Sequence, residues 1–138
     1  MYKSVSSLPS AASRLTKSQI RQLAGPGLRT FFNVAGAWKL TELEQIQILG
    51  LETSRTLQLW RDQPEQDIGA EALTRISYVL GIYKALHTLF GDSARADSWI
   101  QTPHQASMFA GRRPCEAMCN EGLEGLRSLR TYLDAQVH

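Results

Sequence analysis

Little in this chain supports redox, metal or nucleotide chemistry. It has only two cysteines, Cys115 and Cys119. Their spacing is one helical turn, not a disulfide framework, which fits a reducing, cytoplasmic setting. His104 is the one nearby candidate to join them, and a structural zinc site wants four ligands at tighter spacing, so no metal is expected. The phosphate loop and the dinucleotide-binding glycine fingerprint are both missing, and no cofactor is implied. No serine or cysteine sits in a recognisable nucleophile setting. Of the three histidines, His87 falls on a helix near Tyr83, His104 in a loop and His138 at the end of the sequence. The carboxylates are scattered as on solvated helix faces. The chain is therefore not expected to be an enzyme. It also lacks an apolar run long enough to span a bilayer, an apolar core near its start of the kind a secretory signal carries, any strand-like alternation, and any repeat of fixed period.

Acidic residues are missing from the first part of the sequence. Lys3, Arg14, Lys17, Arg21, Arg29 and Lys39 all precede the first acid, Glu42, although the whole chain carries a net charge of only +2. The remainder is consequently acidic. Such asymmetry suits a nucleic-acid-facing end and a different partner at the other end. A basic tail without a role has the same composition. Residues 1–21, rich in serine and arginine, also resemble a transit peptide in composition, but Pro9 interrupts any early amphipathic helix.

What is present reads as helices. Residues 1–18 are serine-rich and arm-like. Gly25-Pro26-Gly27 is a strong breaker, and Pro26 can open a helix over 28–38 with Leu28, Phe31, Phe32, Ala35 and Trp38 at helical spacing. Thr41 and Glu44 form a capping box for a helix carrying Leu43, Ile46, Ile48 and Leu49 and ending near Gly50. Thr53 or Ser54 caps the next helix, whose apolar residues are Leu57, Leu59 and Trp60 and which Pro64 ends. Residues 68–90 form a long amphipathic helix. Asp92 caps a short one reaching Ile100, 101–113 is an ordered loop, Pro114 starts a helix to about Asn120, and Leu123, Leu126, Leu129 and Leu133 mark the last.

Residues 38–61 have the layout of a helix-turn-helix. Gly50 permits the tight turn, and Leu49, Leu51, Leu57 and Trp60 can lock the two helices. The second helix would offer Ser54, Arg55, Gln58 and Arg61 to DNA: arginine reads guanine, glutamine reads adenine, and serine or the helix N-terminus holds phosphate. Two short helices joined by a turn are also common in bundles that bind no DNA. Only two arginines lie on the candidate recognition helix, and Glu52 stands at its entrance.

The C-terminal half carries a family pattern. The run 85–92, Ala-Leu-His-Thr-Leu-Phe-Gly-Asp, leads to Ala96 and Trp99-Ile100. Thr102-Pro103-His104, Gly111-Arg112-Arg113-Pro114 and Glu121-Gly122 follow, the last opening a leucine-spaced helix. This resembles the toxin-binding domain of the Xre/MbcA/ParS antitoxins, over about residues 73–133. Ile100 stands where leucine is usual, His104 where asparagine is common, and Cys115-Glu116 where an apolar pair follows the proline. The segment 105–110 departs from the family's glycine-containing loop. Trp99, next to a proline-containing loop, suits a residue that pins the loop to the core.

The resemblance implies an all-α protein, an N-terminal helix-turn-helix unit followed by a small helical toxin-binding domain. The expected division is a flexible basic arm at 1–25, a helix-turn-helix DNA-binding unit at 26–66, and a helical toxin-binding and dimerisation domain at 67–138. It further implies a type II antitoxin that neutralises a RES-domain, NAD-consuming toxin, represses its own operon by binding operator DNA, and forms a homodimer within a larger complex. Arg127, Arg130, Tyr132, Leu133, Gln136, Val137 and His138 are expected toward the toxin, where arginines can pair with acidic groups or compete for a phosphate-accepting site. A solvated helix face would look the same residue by residue. The alternative function is a stand-alone helix-turn-helix transcriptional regulator whose C-terminal half only dimerises.

Overall fold

A computed structural model describes residues 16–137. Its helices are α1 (Lys17–Ala37), α2 (Glu42–Leu49), α3 (Ser54–Asp62), α4 (Gly69–Leu89), α5 (Ser93–Ser98), a 3-10 turn (Trp99–Gln101), α6 (Pro114–Asn120) and α7 (Gly122–Val137). No strand occurs among the described residues. The all-α expectation therefore holds.

Helix α4 is the axis of the molecule, with α1 and α7 packed along it. Its buried residues Ala72, Leu73, Ile76, Ser77, Val79, Ile82, Ala85 and Leu86 recur at steps of three and four. That period brings one side chain after another onto the same faces of a helix. One apolar core runs from Ala24 to Leu133, with Phe31, Trp38, Ile48, Leu57, Ile100, Phe109 and Met118 fully buried. The helix-turn-helix and the C-terminal helices share this core.

The breaker at Gly25-Pro26-Gly27 does not break the chain, and the helix expected over 28–38 begins much earlier. Helix α1 passes through Pro26. Residues 17–25, expected in the arm, are helical; residues 1–15 lie outside the described residues. The physical reasons are local and tertiary. A proline normally drives its predecessor out of helical geometry through a clash with that residue's Cβ, and Gly25 has none. The missing Pro26 N–H leaves the carbonyl of Gln22 without its partner, but Gln22 is exposed and water can serve it. A reciprocal capping box of Thr16 and Gln19 closes the start. Ala24 and Leu28, on either side of the triplet, are fully buried.

Elsewhere the terminators act as the sequence indicates. Thr41 and Glu44 cap α2 reciprocally, Thr53 caps α3, Asp92 caps α5, and Pro114 opens α6.

Candidate functional site

The first candidate surface is built by α2, its turn and α3. Helix α2 ends in a left-handed Gly50, φ 73°. The Gly50 N–H donates to Gln47 O and the Leu51 N–H to Ile46 O, closing the orphan carbonyls. Arg75 of α4 reaches the same turn and donates from Nη1 to Ile48 O at 3.2 Å while pairing with Glu71 at 3.1 Å. A Cβ added to Gly50 would stand 2.8 Å from the Arg75 Cζ. The turn is therefore fixed to the long axial helix by an arginine that needs the glycine.

Leu49, Leu57 and Trp60 are buried between the helices, and Leu51 is half-buried. Leu43 and Leu59, apolar residues of the same two helices, are 62% and 42% exposed. Both lie on outer faces that no other element among the described residues covers.

Ser54, Arg55, Gln58 and Arg61 are all exposed along α3, so the four expected DNA-facing residues stand on one open helix. Arg61 also makes contacts within the fold. Its Nη2 donates to Gln45 Oε1 at 3.0 Å, and its Cζ lies 5.0 Å from the centroid of the Phe32 ring. Gln45 is itself buried and donates to Leu40 O at 3.1 Å. Arg61 thus bolts α3 to α1 and α2 through the aromatic ring and the glutamine.

The second candidate surface is built by the end of α4, the segment 90–113, and α7. Trp99 stacks on His104 at 4.5 Å and meets Phe109 edge-on at 5.7 Å. His104 also contacts Trp99 O at 3.2 Å. The loop closes on itself through His104 N–H to Arg112 O and Gly111 N–H to His104 O. The expected pinning role of Trp99 is what the geometry displays, and His104 makes its local bond as a stacked ring. Phe109 is fully buried and packs edge-on against Tyr132 at 5.6 Å. Sequence reasoning left it in an atypical loop; the pair Met108-Phe109 inside a polar stretch was its only signal.

The Gly-Arg-Arg-Pro step does structural work of its own. Glu116 accepts from the Arg113 backbone N–H at 3.3 Å and from Arg113 Nε at 3.2 Å. These bonds hold the Glu116 carboxyl below the usual carboxylate range and raise the Arg113 guanidinium. Arg113 Nη1 also donates to Gln101 Oε1, and Gln101 Nε2 donates to Trp38 O at 3.0 Å. The start of α6 is in this way linked to the end of α1. Cys115 and Cys119 are both free thiols with their sulfurs 4.0 Å apart. The Cys119 sulfur and burial push the Cys115 thiol up.

The expected toxin-facing residues of α7 divide into two groups. Arg127 and Gln136 are exposed, and Tyr132 and Val137 are half-buried. Arg127 pairs with Glu124 at 2.7 Å and donates to the Tyr78 hydroxyl at 3.3 Å. The other two are buried in the chain as it stands. Leu133 is 1% and Arg130 7% exposed. Arg130 lies across Gly81 of α4, where any Cβ would overlap its guanidinium, and donates from Nε to Asp134 at 3.2 Å. A glycine on the facing helix makes the room for it, which a reading of α7 alone cannot register. His138 lies outside the described residues.

Between the end of α4 and α7 is an open groove of about 240 Å³, lined by Leu89, Phe90, Trp99, Tyr132, Leu133 and Gln136. Leu89 is 36% exposed at its edge.

Residues 85–138 match the model of the antitoxin Xre/MbcA/ParS C-terminal toxin-binding domain. The chain is also 34% identical over 109 residues to an uncharacterized protein of Sinorhizobium fredii, y4oB, an alignment covering 79% of this chain and 82% of the relative. The matched segment takes in the last turn of α4, the Trp99 loop, α6 and α7, and so contains every residue of the groove. Over residues 85–138 the chain carries the C-terminal toxin-binding domain of the Xre/MbcA/ParS antitoxin family.

Proposed function

We propose that the protein is the antitoxin of a type II pair, that it neutralises a RES-domain, NAD-consuming toxin, and that it represses its own operon by binding operator DNA. It acts by binding and not by catalysis, in the cytoplasm and as a homodimer. The single observation that carries the reading is the toxin-binding domain match at residues 85–138, on a fold that also presents a helix-turn-helix with an open second helix.

The two activities use separate surfaces. Ser54, Arg55, Gln58 and Arg61 are the DNA-facing set, with Arg61 also holding their helix in place. A homodimer would set two such helices about 34 Å apart, one turn of DNA, to read a palindromic site. Arg127, Tyr132, Leu133, Gln136 and Val137, with His138, form the toxin-facing set, and Arg130 seats their helix on α4.

The test is co-expression of the chain with the product of the adjacent gene, followed by co-purification and a growth assay, together with a gel-shift assay on the upstream DNA. A stable complex, growth rescue that depends on this chain, and a specific shift are the expected results. DNA binding without a complex or toxicity would leave a stand-alone regulator, and a complex without DNA binding would remove the repressor half.

A further inference from the structure

The groove at the end of α4 has the dimensions of a one-residue anchor site. Its floor is Leu133, its walls are Phe90, Trp99 and Tyr132, and Leu89 and Gln136 stand at its mouth. Arg95 lies over the Phe90 ring, with its Cζ 5.4 Å from the centroid. At about 240 Å³ the groove falls below the roughly 300–1,000 Å³ of small-molecule and cofactor sites. It is large enough for one bulky side chain. Aromatic walls around a small apolar depression, with a polar rim, are the form of a hot-spot pocket that takes a partner's anchor residue.

Two of the walls are also packed against neighbouring rings. Phe109 braces Tyr132 from behind at 5.6 Å, and Trp99 is held between His104 and Phe109. Rigid aromatic walls cost little ordering entropy on binding. All six lining residues lie inside the segment that matches a toxin-binding domain, and Tyr132 and Gln136 continue into the exposed strip of α7. That continuity assigns the groove to the toxin rather than to a second copy of this chain.

We infer that the groove bounded by Leu89, Phe90, Trp99, Tyr132, Leu133 and Gln136 receives one large apolar side chain of the toxin, a leucine, isoleucine, methionine or phenylalanine, and is the main anchor of the complex. The inference rests on the antitoxin reading above.

Two variants test it without opening the core. Leu89→Asp places a charge at the mouth, on a side chain already 36% exposed. Gln136→Trp fills the groove from its exposed rim. Leu43→Asp, on a more open leucine of α2 remote from the groove, is the control. Binding of the purified adjacent-gene product is measured by calorimetry, with thermal melting and light scattering on each variant. Loss of an anchor corresponds to about 30-fold or more in Kd. The expected result is that loss for both groove variants, unchanged affinity for Leu43→Asp, and wild-type melting throughout. Wild-type affinity in both groove variants would overturn the anchor and leave the antitoxin reading standing. A change in self-association with toxin affinity intact would overturn it in favour of a second copy. If the unsubstituted chain binds no adjacent-gene product, the antitoxin reading falls and the anchor with it.

Discussion

Replacing Gly125 by alanine should destabilise the protein, although helix propensity alone predicts the opposite. Gly125 lies within α7, at a buried position one turn from its start, and its backbone is not in the left-handed region. Removing a glycine from such a position normally stabilises by about 1 kcal/mol. Here a Cβ would overlap the carbonyl oxygen of Ala117, and would stand 2.9 Å from Glu121 Cβ and 3.3 Å from the Ala117 carbonyl carbon. The obstruction is backbone of α6, not the end of a flexible side chain. Relief requires α6 and α7 to separate, with overpacking costs of about 1–3 kcal/mol before the propensity gain is counted. The overlap with a rigid carbonyl puts the cost toward the upper end, for a net loss of about 1–2 kcal/mol, or about 4–8 °C in Tm. Gly36 of α1 is the control. Its Cβ would meet nothing within 4 Å, so Gly36→Ala should raise stability by up to about 1 kcal/mol. Thermal and urea unfolding of both variants decide the matter by sign. A Gly125→Ala protein as stable as the wild type, or more stable, would refute the close approach of α6 to α7.

Arg55→Ala with Gln58→Ala should abolish specific operator binding, each base contact being worth about 1–3 kcal/mol, while toxin affinity stays unchanged; joint loss of both activities in a gel shift and calorimetry would reject separate surfaces. Gly50→Ala forces a left-handed residue with a side chain, about 1–2 kcal/mol, and displaces Arg75 from Ile48 O, about 1 kcal/mol more; urea unfolding should register the sum. Glu116 has a lowered pKa in the folded state because the Arg113 backbone N–H and side chain bond its charged form. Its contribution is therefore present above the unfolded carboxylate pKa and is lost as pH falls through the folded one. Glu116→Gln should flatten stability against pH in that acidic window and leave it unchanged in slope near neutrality.

The helices were legible where a local signal sets a boundary. Thr41 with Glu44, Gly50, Thr53, Asp92 and Pro114 act within a turn of themselves, and each does in the structure what its chemistry dictates. Gly25-Pro26-Gly27 misled because its effect depends on what lies against it. Gly27 packs on α4, where its Cβ would lie 3.7 Å from Ile76 Cγ2, and Ala24 and Leu28 are fully buried beside it. Burial on the axial helix outweighs a local preference worth about 3 kcal/mol. Phe109 escaped for a related reason: its burial comes from Trp99 and Tyr132, distant in sequence. Apolar spacing also did not set Leu43 and Leu59 apart from their buried neighbours, since spacing marks a face but does not say whether anything covers it.

The arginines show why candidate sites are harder to read than helices. From sequence, Arg55, Arg61, Arg127 and Arg130 are equivalent cations awaiting an anion. The fold separates them by what lies opposite. Arg61 faces an aromatic ring and a buried glutamine, and Arg130 faces a glycine and an aspartate; both join helices, Arg130 from a buried position and Arg61 from an exposed one. Arg55 faces solvent, and Arg127 lies on the surface with Glu124 and Tyr78. The same sorting bears on DNA affinity. With only Arg55 and Arg61 along α3 and Glu52 at the helix entrance, α3 offers few phosphate contacts, so the salt dependence of operator binding should be shallow, near one unit of slope per neutralised phosphate. A steep slope of several units, measured by gel shift between low and physiological salt, would require cations from elsewhere in the chain. The basic residues before Glu42 are then the set to replace, beginning with the exposed Lys17 and Arg21 of α1. A slope unchanged by those replacements would show that the charge asymmetry of the sequence does not act on DNA.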